Sequence, residues 1–166
     1  MKKLHYITAV THNRESIFNN ETACEIFFDQ LREIKMLFPF KLFGYVLMPD
    51  HFNMLVRPHD GDAEKFLLRL RGLSARKIID KFKADGFWNA LLPLKVFRKR
   101  KHRFAVWQPK ALVVDIFSRD FFEQKLNYIH MNPVRAGLCK HPSEWKWSSF
   151  NAYHGGESPI EVDSPD

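Results

Sequence analysis

A Pro-Asp reversal at Pro49-Asp50, set between two runs of strand-forming residues, limits how this chain can fold more than any other feature. The runs are Lys41 to Met48 and His51 to Arg57. Proline presets a turn angle and aspartate bonds its own backbone, so the runs fold back on each other as an antiparallel hairpin. Period-two alternation in the second run puts His51 and Asn53 on one face, with Phe52, Met54 and Val56 on the other.

The segments around the hairpin set the architecture. Leu4 to Thr11 reads as a strand and His12-Asn13-Arg14 as a loop. Residues 21 to 38 read as a helix, with Ile26, Phe27, Leu31, Ile34 and Phe38 at helical spacing and Pro39 closing it. Pro58, Asp60 and Gly61 end the hairpin. A second helix follows from Asp62 to Ala84, with Phe66, Leu70 and Leu73 facing inward and Gly72 as a point where it could break. Strand, helix, hairpin, helix is the opening of an α+β ferredoxin-like sandwich, in which helices pack on a central antiparallel β-sheet. That fold needs one more strand, and Ala111 to Phe117 supplies it. Residues 87 to 110 show no clear period. Ser118 then caps a helix whose stripe is Phe122, Leu126 and Ile129, with Tyr128 and Asn132 on its border and Pro133 ending it. Trp145, Trp147, Phe150 and Tyr153 are expected to pack back on the body. The expected organisation is one domain over residues 1–154 and a flexible acidic tail over 155–166.

A hydrophobic fraction of 45% in 166 residues supports one core. No run approaches the roughly 18 apolar residues of a membrane span, and Met1-Lys2-Lys3 does not open a signal peptide. The two cysteines, Cys24 and Cys139, have neither metal-ligand spacing nor disulfide density, so the chain reads as cytoplasmic, without a membrane partner. The formal charge is +7, and the tail carries Glu157, Glu161, Asp163 and Asp166 without a cation, so the body is more basic still. Such a balance suits a nucleic-acid partner. Lys95, Arg98, Lys99, Arg100, Lys101 and Arg103 crowd one span beside Phe97, Phe104 and Trp107, pairing cations for phosphates with aromatic faces for bases. On an unbroken second helix Lys65, Arg69, Arg76 and Lys83 share a stripe that could track a DNA backbone, at about 3.6 residues per turn.

The chemistry rests on two short stretches. His51 and Asn53 offer one imidazole nitrogen and one amide oxygen to a divalent cation such as Mg²⁺ or Mn²⁺. In Tyr128-Ile129-His130-Met131-Asn132-Pro133, Asn132 lies one helical turn after Tyr128 and could complete the ligand set, with the phenol aimed at the same centre. An aryl hydroxyl beside a divalent cation is suited to cutting a phosphodiester and keeping the broken end covalently. His130 points elsewhere on the helix and is not assigned as the base.

These residues resemble the single-tyrosine HUH transposases and, within them, the REP-associated tyrosine transposases. The resemblance runs through the first strand, MPDHFNMLV, VWQP at 106–109, FFEQKLNYIHMNPVRAGL at 121–138 and WKWSSFNAY at 145–153. It implies a ferredoxin-like core, a divalent metal held by the HUH pair and a helix-borne nucleophilic tyrosine. Single-stranded DNA with hairpins is the implied substrate. His51 matches the first histidine of the pair, Tyr128 the nucleophile and Asn132 the polar ligand one turn later. Asn53 stands where the second histidine belongs, so the resemblance leaves two outcomes: an active strand transferase with a variant metal site, or a hairpin-DNA-binding protein that no longer cuts. The wider family includes dimers that complete each site with a partner's tyrosine, while REP-associated members are expected to be monomers. Lys41 to Met48 also approximates an RNA-binding aromatic pattern but lacks its second-place glycine and final aromatic.

Overall fold

The hairpin forms at the Pro-Asp reversal. In the computed structural model, which describes residues 2–165, β2 (Phe40–Met48) and β3 (His51–Pro58) pair antiparallel with Met48 opposite His51. β1 (Leu4–Val10) lies on the other side of β3, Thr8 opposite Asn53 and Val10 opposite His51. α1 (Glu21–Leu37) follows β1 and α2 (Ala63–Ala84) follows β3, capped by Asn20 and Asp62, whose side chains accept from the amides of Ala23 and Lys65. α2 passes through Gly72 without a break. After α3 (Trp88–Leu91), β4 (Lys95–Arg98) and β5 (Lys101–Phe104) form a separate two-stranded ribbon. β6 (Leu112–Ile116) then returns beside β1, which completes an antiparallel sheet of order β2-β3-β1-β6. α4 (Arg119–Arg135), capped by Ser118, lies across this sheet. The result is the α+β sandwich that the element order implies.

The two sheet faces differ because successive side chains point opposite ways. Ile7, Ala9, Tyr45, Leu47, Phe52, Met54 and Val56 meet Phe27, Phe28, Leu31 and Ile34 of α1 and Phe66, Leu67 and Leu70 of α2 in the main core. Tyr6, Val46, Met48 and Leu55 face α4, with Phe43 and Ile129. α4 comes close because β2 carries Gly44 beneath it. A Cβ there would lie 2.5 Å from the Leu126 methyl.

Several expectations need correction. Leu73 and Phe38 are exposed, Leu73 on the outer face of α2 and Phe38 just past α1, where the Arg69 guanidinium lies 3.5 Å from the Phe38 ring centre. Pro133 does not end α4, which continues to Arg135. So near a C-terminus the missing proline N–H removes only one ladder bond, and the amides of Ala136, Gly137 and Leu138 close the helix on Asn132, Val134 and Pro133. The acidic tail is docked. Ile160 is buried, the Tyr45 hydroxyl donates to its carbonyl at 2.9 Å, and Asp163 accepts from the Leu42 amide at 2.8 Å and pairs with Lys35 at 3.0 Å. Just before it, Trp147 and Ser149 bond Leu47 and Tyr45 along the outer edge of β2, shielding an otherwise open strand.

Candidate catalytic site and nucleic-acid surface

His51 begins β3 and Asn132 sits late in α4, and crossing α4 over the sheet brings them together. The Asn132 amide nitrogen lies 3.3 Å from His51 Nε2. On the other side of the ring, His51 Nδ1 lies 2.7 Å from an Asp50 carboxylate oxygen, and the second Asp50 oxygen takes the Arg14 guanidinium at 3.2 Å. Burial works against the Asp50 carboxylate, but its bonds to His51 and Arg14 prevail and hold it below the usual carboxylate value. A carboxylate at Nδ1 favours the tautomer whose Nε2 keeps its lone pair, the arrangement commonly found behind metal-ligating histidines.

Asn53 is on the same strand face as His51 and only 2% exposed. Its Oδ1 accepts from the Thr8 hydroxyl at 2.7 Å, across the β1–β3 pairing. Burial raises the Tyr6 phenol, on the same strand face as Thr8, above its ordinary pKa, with the neighbouring Thr8 hydroxyl working against the shift. The Tyr128 ring lies edge-on to Tyr6 with centres 6.5 Å apart, and Tyr128 is 44% exposed. So His51 and Asn53 share the sheet face under α4, Asn132 meets His51 there, and Tyr128 lies half-exposed against Tyr6 of the same face. Direct donors would be one imidazole and two amides, each able to present either oxygen or NH₂. Among the described residues there is no cluster of three His, Cys, Asp or Glu. This donor set fits a hard or borderline cation, bound more weakly than by two imidazoles.

His130 is buried on the far side of α4. Its Nε2 lies 2.8 Å from Ser149 Oγ, which also accepts from the Tyr45 amide at 2.9 Å. Burial and the nearby His154 push its pKa down to about 4. It joins α4 to the edge of β2 and does not face Tyr128.

The basic residues divide into two groups. Lys65, Arg69 and Arg76 lie on the outer side of α2, Lys65 within 3.7 Å of Asp60. Lys95, Arg98, Lys99, Arg100, Lys101 and Arg103 are exposed on the ribbon. Its register places Arg98 opposite Lys101 and Val96 opposite Arg103 on one face, with Phe97 opposite His102 on the other. Lys99 and Arg100 make the turn with φ of 48° and 59°, so two cations occupy left-handed positions that usually favour Asn or Gly. Val96, Arg98 and Arg103 share with Arg71 and Gly72 of α2 a groove of about 480 Å³.

Trp107 is the exception. It is 7% exposed, stacked on Phe18, with its indole N–H donating to Ser74 at 3.1 Å, so it is a core residue unavailable for base stacking. Sequence pattern alone did not separate it from Phe97, because both lie near the same run of cations. Asp50, Arg14, Thr8 and Tyr6 also escaped the sequence reading, and Asp50 had a signal in its place beside His51. Thr11 joins site and ribbon, since its amide bonds Asp50 and its backbone bridges Trp107 at the ribbon's base.

Comparison with known proteins gives the family and the fold. Residues 2–92 match the family model described as IS200-like transposase, and the chain belongs to that family. A REP-associated tyrosine transposase of Escherichia coli (strain K12) is 25% identical over 113 residues, which covers 68% of this chain and 56% of the relative. The chain thus spans little more than half of that protein. A Haemophilus influenzae relative is 22% identical over 153 residues, covering 89% of this chain and 80% of its own length. Among solved structures, a REP-associated tyrosine transposase bound to a REP hairpin superposes with a TM-score of 0.69 at 20% identity, covering 100% of this chain and 90% of the other.

Proposed function

We propose that this protein binds single-stranded DNA carrying a hairpin and cuts and rejoins the strand through Tyr128. The observation that carries the reading is the approach of Asn132 to His51 at 3.3 Å, with Tyr128 one turn earlier on the same helix. Tyr128 Oη would attack phosphorus in line with the departing 3′ oxygen. The O–P bond forms, the P–O3′ bond breaks, the leaving oxygen takes up a proton, and the phenol's proton passes to solvent. The strand's 5′ end is then a phosphotyrosine, which retains the ester and can be attacked by another 3′ hydroxyl. Mg²⁺ or Mn²⁺, held by His51, Asn53 and Asn132, would supply charge neutralisation at the phosphoryl oxygens. Asp50 orients His51, and Thr8 orients Asn53. All these groups come from one chain, which favours a site complete in a monomer.

DNA would be held by phosphate contacts from Lys65, Arg69 and Arg76 of α2 and from Lys95, Arg98, Lys99, Arg100, Lys101 and Arg103 of the ribbon, with Phe97 rather than Trp107 as the exposed aromatic. The neighbour solved with a REP hairpin supports a hairpin partner. Among the described residues no helix is long and apolar enough to cross a membrane. A DNA substrate would place the protein in the cytoplasm.

One observation favours hairpin binding without cleavage: the Asn53 oxygen is engaged by Thr8. A denaturation-resistant adduct assay on hairpin-bearing single strands with Mg²⁺ or Mn²⁺ separates the two. Wild type is expected to form the adduct and Tyr128→Phe to form none, with Asn53→His raising the yield. Hairpin binding without an adduct in wild type would leave the non-cutting reading. An adduct that survives in Tyr128→Phe would mean another nucleophile.

A further inference from the structure

We propose that Arg135 is a further catalytic residue of this site, whose guanidinium holds the Tyr128 phenol and brings positive charge to the phosphate it attacks. This rests on the strand-transfer reading and adds to it a group outside the nucleophile and ligand set. Arg135 lies seven residues after Tyr128, about two turns along α4. Its side chain runs back along the helix. Nη2 donates to the Tyr128 carbonyl at 2.6 Å, and the guanidinium carbon lies 4.1 Å from the centre of the Tyr128 ring.

Helix capping does not account for this placement. A cation that only capped α4 would meet the carbonyls of its last four residues, whereas Arg135 reaches back past them to residue 128. Pro133 has no N–H, so the Ile129 carbonyl is the one left without a ladder donor, yet Arg135 donates to the neighbouring Tyr128 carbonyl instead. A second cation adds to the first, since Lys125 Nζ lies 5.7 Å from the Tyr128 ring centre and 4.7 Å from that of Tyr6. No carboxylate among the described residues forms an ion pair with either Arg135 or Lys125. Two unpaired cations on a half-exposed phenol form an anion-accepting centre, and the anion that reaches Tyr128 in strand transfer is the scissile phosphate.

Guanidinium stays protonated throughout the ordinary pH range, so Arg135 takes no part in proton transfer. Its planar fork stacks on the ring, and the N–H groups not used on the Tyr128 carbonyl can meet a non-bridging oxygen as the Oη–P bond forms and the P–O3′ bond breaks. Lysine would keep the charge and lose the fork.

The test is single-turnover adduct formation by the full chain on a hairpin-bearing single strand with Mn²⁺, alongside hairpin affinity. Arg135→Ala is expected to slow adduct formation by roughly 100-fold, the scale of removing one transition-state donor, while hairpin affinity holds. Arg135→Lys should recover part of the rate. Guanidinium ion in solution should accelerate Arg135→Ala and leave wild type unchanged, which a purely structural role would not produce. Arg135→Ala at the wild-type rate overturns the proposal and leaves strand transfer standing, whereas a wild type that forms no adduct overturns the strand-transfer reading itself. The holding role is read independently of cleavage by ¹⁹F NMR of 3-fluorotyrosine protein, with the Tyr128 signal assigned by its loss in Tyr128→Phe. Arg135→Ala should shift and broaden that signal, and an unchanged signal would overturn the clamp.

Discussion

The two faces of the central sheet are built from the same four strands but serve different ends. Under α1 and α2 the face is apolar apart from His5, which meets Asp115 of β6 at 3.0 Å, and Phe27, Phe28, Phe52, Tyr45 and Trp107 are in mutual ring contact. Under α4 the apolar part is smaller, and Thr8, His51 and Asn53 interrupt it where β1 ends and β3 begins. A face covered by two helices can spend every inward position on burial. The face crossed by one helix leaves part of the sheet beside a half-open seam, and polar groups there can meet a ligand without unfolding anything.

Truncation on the two faces should therefore have different signatures. The largest loss of stability is expected from Phe27→Ala in the main core, about 3–5 kcal/mol by denaturant unfolding, whereas Tyr128→Phe should leave the midpoint nearly unchanged while abolishing the adduct. If Phe27→Ala cost no more than a surface change, the contrast between the faces would be lost.

The next effect depends on pH and tests how α4 is fastened. The buried His130 has a pKa of about 4, below the ordinary 6.5 of the unfolded chain. The unfolded state therefore binds the proton first, and the stability that neutral His130 supports is whole above pH 6.5 and falls as pH drops towards 4, by about 3 kcal/mol. His130→Gln keeps an N–H donor without the titration and should flatten that acid limb. Identical acid profiles for variant and wild type would show that His130 does not couple α4 to Ser149.

The smallest effect probes the spacing of α4. Gly44→Ala pushes a methyl against the Leu126 side chain. Since the contact is the far end of a flexible chain, the expected cost is about 1–2 kcal/mol, with slower adduct formation because α4 carries Tyr128. Adding Leu126→Ala should restore the rate. Failure to restore it would mean that helix spacing does not govern the phenol.

Much of this was legible in the chain. The Pro-Asp turn, the helical periods of α1 and α2 and the cap at Ser118 all act within a few residues, so pattern was enough to place them. That His51 and Asn53 share a strand face and that Asn132 follows Tyr128 by one turn was readable, because strand alternation and the helical turn are also local. The ribbon of residues 95–104 was not readable, because its cations alternate with aromatics at no single period. The tail was misread for a related reason: its acidity hid Ile160 and Asp163, whose partners Tyr45 and Leu42 lie more than 100 residues away.

By itself the sequence determined which side chains share a strand face or a helix turn, because those relations depend only on backbone periodicity. Tertiary structure alone decided that Asn132 meets His51, that Trp107 goes inside while Phe97 stays out, and that Arg135 folds back on Tyr128 at a proline-interrupted turn. Each depends on how close two elements come, and that distance is set by packing, as at Gly44 beneath Leu126, which no local pattern encodes.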